Sequence, residues 1–125
     1  MAMSARKEMA VEFLRLAASG KVRQAYRNYV GPQFRHHNPF FRGDAESLMT
    51  AMEENAARNP DKVIEVQRVL EDGDLVAVHS RVRQTPTDRG AAVVHIFRFE
   101  DDLIAELWDV GQPAPENTSN EYGMF

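Results

Sequence analysis

Up to Asn59-Pro60 the apolar positions recur at three- and four-residue spacing, and from Lys62 onward they alternate; the two periods predict helices first and strands after. Ser4 is a suitable N-cap for a first helix, whose apolar stripe is Met9, Ala10, Phe13, Leu14, Leu16 and Ala17. Ser19-Gly20 stops it, because glycine tolerates the left-handed cap conformation. A second, shorter helix starts at about Lys21, buries Val22, Ala25, Tyr26, Tyr29 and Val30, and ends at Gly31-Pro32. Asp44 caps a third, with Glu46 near the positive end of its dipole and Leu48, Met49, Met52 and Ala56 on its apolar face. Four strands follow: Val63 to Leu70, Leu75 to Gln84, Ala91 to Glu100 and Leu103 to Gly111. Asp72-Gly73, the turn-rich Thr85-Pro86-Thr87-Asp88-Arg89-Gly90 and Asp101-Asp102 connect them.

Helices segregated before an antiparallel meander imply an α+β fold, three N-terminal helices packed on one face of a curved sheet of four strands or slightly more. Twist would curl such a sheet over the helices and leave a cone with a pocket. Ile64, Val66, Val76, Val78 and Val82 are read as the opposite face of the sheet, which a two-fold homodimer through the sheet would cover. The tail from Gln112 should run irregularly, but Tyr122, Met124 and Phe125 are too apolar to be free and are expected to dock on the body or on a partner subunit.

The 125 residues suit one domain spanning the chain, and neither an internal repeat nor a low-complexity stretch is visible. Hydrophobic residues at 43% and charged residues at 27% match a globular protein rather than a disordered one. Without cysteine there is no disulfide scaffold, thiolate nucleophile or cysteine zinc site. A net charge of −4 argues against nucleic acid as the main partner. No apolar run is long enough for a membrane helix, and polar Met1 to Lys7 is unlike a signal peptide, so a cytoplasmic protein is expected.

Candidate chemistry rests on histidines and one aspartate. His36 and His37 are adjacent in the link between the second and third helices, so only one can enter a pocket. His37 is favoured, because Asn38-Pro39 then turns the chain away. If Gln84 and Gly90 close the hairpin, His79 and His95 fall directly opposite each other on one face. Two such imidazoles would resist double protonation and keep a base available near neutral pH. Asp109, set among Leu107, Trp108 and Val110, should be desolvated and its pKa raised, which suits a proton shuttle. A two-residue turn at Asp101-Asp102 would put Asp109 on the face opposite His95; a β-bulge or an odd-length turn brings the two together, and a bulge is expected. A zinc site would have to be assembled from His37, His79, His95 and Asp109, since no compact spacing such as His-x-x-x-His occurs; no metal is expected. The chain has neither a glycine-rich phosphate loop nor a Gly-x-Ser-x-Gly elbow.

Three stretches resemble the SnoaL-like branch of the NTF2-like superfamily: His36-His37-Asn38-Pro39, Val76-Ala77-Val78-His79-Ser80, and Phe97-Arg98-Phe99-Glu100 through Trp108-Asp109-Val110 with Gln112-Pro113. The order of elements matches over nearly the whole chain. The resemblance implies an NTF2-like cone and, from the polyketide cyclases of the branch, a cofactor-free intramolecular aldol condensation. The aspartate late in the last strand, here Asp109, is the implied acid/base, and His95 is the candidate for the assisting histidine. The chain departs from the pattern in having His95 where many relatives carry Asp, and Leu107 where they carry His. A mechanism follows as an expectation: an apolar carbonyl compound enters a pocket lined by Phe13, Tyr26, Met52 and Phe97. Asp109 protonates the carbonyl oxygen, His95 or His79 takes a proton from the adjacent carbon or orients Asp109, and Asn38 bonds the enolate oxygen. The same set would serve an isomerase. The rival reading is a non-catalytic dimeric module that uses the cone to bind a small molecule.

Overall fold

The computed structural model describes residues 3–125; of the polar leader Met1 to Lys7, the first two residues lie outside the described ones. Helix α1 (Ala5–Ala18) is capped by Ser4, whose side chain accepts from the Lys7 N–H. It ends where Gly20 takes φ of 88°. Helix α2 (Val22–Tyr29) follows, and α3 (Ala45–Arg58) is capped by Asp44 accepting from the Ser47 N–H. The caps foreseen for α1 and α3 therefore set their first turns. Among the described residues no helix is long and apolar enough to cross a membrane.

The sheet has five strands rather than four. β1 (Val30–His36) continues straight out of α2, and β2 (Val63–Asp72), β3 (Leu75–Arg83), β4 (Ala91–Glu100) and β5 (Leu103–Pro113) form the meander. The order is β1-β5-β4-β3-β2, with β1 parallel to β5 and the other pairs antiparallel. Gly31-Pro32 thus sits inside an edge strand instead of merely ending a helix. An edge tolerates proline because one side of the strand has no ladder to supply, and the register slips there between Val30 and Arg35.

The helices cover one face of this sheet, called inner here. Phe13, Val76, Val78, Phe97, Ile104 and Leu107 are fully buried between them, and Phe13 meets Phe97 edge-on with ring centroids 5.7 Å apart. Each such side chain contributes about 1.5–3 kcal/mol through burial. Val76 and Val78 belong to this core, with Ile64 and Val66 packed against it and Val82 on the same inner row. The sequence reading had these five residues on the uncovered face; the parity is inverted because β3 enters with Leu75 outward. The outer face carries Ala77, His79, Val94, Ile96 and Trp108 interleaved with charged groups.

The tail docks on that outer face. The Phe125 ring stacks on His79 at 6.0 Å and lies under the Arg81 guanidinium at 5.2 Å, while Tyr122 stays exposed.

Candidate active site

Two local irregularities decide which side chains share a face. Between β3 and β4 the last rung is Val82 opposite Ala91, not Gln84 opposite Gly90. Gly90 has φ of 77°, and a Cβ there would lie 2.5 Å from the Val82 carbonyl oxygen, so it folds into the loop instead of pairing. The Asp88 carboxylate accepts N–H bonds from Gln84, Thr85 and Gly90 and holds that loop. The register consequently moves by one residue: His95 pairs with Val78 and His79 with Val94. His79 and His95 are therefore on opposite faces, contrary to expectation. His79 receives a hydrogen bond from Arg68 and lies beneath Phe125.

The second irregularity does what the sequence reading required. Asp101 and Asp102 both take positive φ, 53° and 61°, as a tight two-residue hairpin turn demands. Glu100 then pairs with Leu103 and Phe99 with Ile104, but Arg98 pairs with Glu106. Ala105 is the extra residue of a bulge. Beyond it His95 stands directly opposite Asp109, both on the inner face.

His95 and Asp109 line a cavity of about 320 Å³ bounded by α1, α3 and the inner face. Its apolar wall includes Leu14, Leu48, Met52, Ile64, Val82 and Val93. Polar groups on the wall are Asn38, Asn55, Arg58, Lys62, Gln84, His95 and Asp109. Asn38 Nδ2 donates to Asp109 Oδ2 at 3.0 Å, and Asn38 Oδ1 accepts from the Phe40 N–H at 3.0 Å. Asn38 thus orients the carboxylate, and its amide keeps a second N–H on the cavity wall. Burial lowers the pKa of His95 to about 4; the Asp109 charge works against this and the Lys62 charge adds to it. The imidazole is neutral at physiological pH, and its Nδ1 has no hydrogen-bond partner among the described residues. Of the three apolar neighbours of Asp109, Trp108 and Val110 project from the outer face, Val110 being exposed, and Leu107 alone shares the inner face.

Other expectations are corrected. Of the proposed lining, only Met52 reaches the cavity. Phe13 and Phe97 are fully buried behind it, and Tyr26 is buried with its hydroxyl against Met52 Sδ at 3.6 Å. Burial, assisted by the charge of Asp109, raises the Tyr26 phenol well above its ordinary range. His37 points outward, not into the pocket. Its Nε2–H donates to Glu106 Oε2 at 2.5 Å and its ring stacks on Trp108 at 4.9 Å. His36 is the inward one, but it is a satisfied core residue. Its Nε2–H donates to the Arg42 carbonyl, and Nδ1 accepts the Asn38 N–H. With His37 and His79 outside and His95 and Asp109 inside, those four side chains cannot converge on one ion.

The sequence reading missed two groups. On the outer face Glu106, only 6% exposed, is gripped by Arg35 and Arg98 as well as His37. The Arg35 hydrogen bond above all, then those from His37 and Arg98, holds its carboxyl down at about 2 against the opposing effect of desolvation. In the cavity, Lys62 and Arg58 were not singled out, since no motif in the sequence marks them.

A mixed five-stranded sheet with helices on one face and a cavity between them is the α+β architecture of NTF2-like domains. The SnoaL-like domain model matches residues 10–107, and the chain belongs to that family. No curated protein sequence matches significantly. Among solved structures, an NTF2-like protein of unknown function from Cytophaga hutchinsonii superposes with a TM-score of 0.70 at 17% identity, covering 90% of this chain and 94% of that one. A provisionally assigned polyketide cyclase from Acidithiobacillus ferrooxidans gives 0.68 at 17% identity, with 90% and 92% covered. A provisionally assigned isomerase of the SnoaL-like family from Agrobacterium tumefaciens gives 0.70 at 10% identity, with 87% and 99% covered. At these identities the likeness is one of fold.

Proposed function

We propose that the chain is a cofactor-independent enzyme that performs acid/base chemistry on a small, largely apolar carbonyl compound, as an aldol-type cyclase or a related isomerase. The observation that carries this reading is the cross-strand pair His95–Asp109 on the cavity wall, with Asn38 fixing the carboxylate. Asp109 takes the proton from the carbon next to the carbonyl, and the N–H of neutral His95 donates to the oxygen on which charge develops. A neutral imidazole can fill this role because it keeps one ring N–H to donate to the developing oxyanion. In an isomerisation Asp109 returns the proton to a different carbon. In an aldol closure the enolate carbon forms the new bond to a second carbonyl, and the resulting alkoxide takes the proton from Asp109. The printed names of the cyclase and isomerase neighbours agree with either outcome. The homodimer through the sheet also belongs to this proposal, with Val94, Ile96 and Trp108 as the outer-face residues that would meet their copies.

Proton–deuterium exchange at the α-carbons of 2-tetralone in D2O, followed by NMR, tests the reading without knowledge of the natural substrate. The wild-type chain should accelerate exchange, and Asp109→Asn should lower the rate by about 10²–10⁴-fold with the fold intact. Equal rates in the two proteins would remove Asp109 from the role. No acceleration by either would leave a module that binds small molecules without converting them.

A further inference from the structure

The cavity carries more charge than acid/base chemistry on a neutral ketone requires. Lys62 and Arg58 both line it, and neither has a carboxylate within ion-pair distance among the described residues. Other basic side chains, Arg15 and Arg27 among them, also lack such a partner; what sets Lys62 and Arg58 apart is that they share one cavity wall. The Lys62 ammonium has three donor hydrogens, and one protein acceptor is found for it, Asn55 Oδ1 at 2.8 Å. It is half-buried at the junction of α3 and β2, and burial lowers its pKa. A desolvated cation without a counter-ion is costly to maintain by packing alone, and a ligand anion would relieve that cost.

The placement gives the anion an orientation. Asp109 is on β5 and Lys62 immediately precedes β2, with β4 and β3 between them in the sheet. His95 on β4 feels both charges, in opposite senses. A ligand with a carboxylate at one end would be drawn to Lys62 and Arg58 and turned away from Asp109, leaving its carbonyl end at the Asp109–His95 pair.

We infer that Lys62 and Arg58 form an anion subsite and that the substrate class is a carbonyl compound bearing a carboxylate group. This rests on the acid/base reading only for what happens at the other end of the ligand; the subsite itself is a matter of binding. The probes are 2-naphthoate and its uncharged counterpart 2-naphthamide, with affinities measured by calorimetry. The wild-type chain should prefer the acid by about tenfold or more, the range of one or two hydrogen bonds to a charged group. Lys62→Met combined with Arg58→Gln should abolish the preference, with the acid losing more affinity than the amide. Arg58→Gln alone, on the exposed rim, should reduce the preference whether or not the Lys62 change disturbs folding. Equal affinity of the wild-type chain for the two probes, or a preference that survives both substitutions, overturns the subsite. Binding of neither probe overturns it as well. Because 2-tetralone carries no charge, its exchange reports on Asp109 whichever way the naphthoate comparison falls.

Discussion

His95 offers a direct check on the site, because its burial has a consequence for stability that needs no substrate. Its pKa is 6.5 in an unfolded chain and about 4 in the folded one. The folded value is the lower, so between those two pH values the unfolded chain binds the extra proton and folding weakens as pH falls. The contribution is complete above 6.5, declines on acidification and is exhausted below about 4. Linkage across this shift gives a loss of about 2 kcal/mol between pH 7 and pH 5. Urea unfolding at a series of pH values in that interval measures it, and His95→Gln, which has no proton to gain, should flatten the profile. The interval lies above the range in which Glu106 titrates, so the two effects separate. The NMR titration of His95 completes the test: Asp109→Asn should move its pKa still lower, since the carboxylate is what holds it up. A His95 that titrates near 6.5, or an undiminished pH slope in His95→Gln, would refute both the burial argument and the neutral-donor role built on it.

Two further outcomes concern the outer face. Glu106→Gln should cost about 2 kcal/mol at pH 7, reduced from a fully buried ion pair because Arg35 is exposed. The folded pKa of Glu106 lies below the ordinary value, so its contribution is present above 4.5 and lost as pH falls toward about 2; the gap between variant and wild type in urea melts should narrow over that interval. Sedimentation equilibrium should give twice the 14.2 kDa chain mass for the wild type and the single mass for Ile96→Glu, and a monomeric wild type would end the dimer proposal.

What the sequence made legible was whatever is decided locally. The caps at Ser4 and Asp44, the glycine stop of α1 and the hairpin at Asp72-Gly73 depend on side chains within a few residues, and they appear where the pattern put them. Strand β1 was hidden because Gly31 and Pro32 argue against a strand anywhere except at an edge, and edge position is a tertiary fact. The His79–His95 pairing failed on one residue. Gly90 resembles a turn-closing residue in sequence, yet its left-handed conformation withdraws it from the ladder. His36 and His37 were exchanged for a related reason: with Phe34 inward, alternation along β1 forces His36 inward and His37 outward. Phe13 and Phe97 were read as pocket lining from their apolar character, which equally suits the core where both are fully buried.

The bulge at Ala105 has the widest effect on function, because one inserted residue decides the fate of two carboxylates on the same strand. Ile104 faces inward, and two positions on, Glu106 faces outward, which strict alternation forbids without the extra residue. Glu106 is thereby placed among Arg35, His37 and Arg98, where its charge is neutralised and it serves as a structural tie. Asp109 is carried to the inner face, where its hydrogen-bond partner is the neutral amide of Asn38 and its cross-strand neighbour a neutral imidazole. A carboxylate in that setting is presented to a ligand in the cavity, while one clamped by guanidiniums on the outer face is not. The division of labour between the two therefore rests on backbone parity more than on their immediate sequence surroundings, since Trp108 and Val110 point away from Asp109.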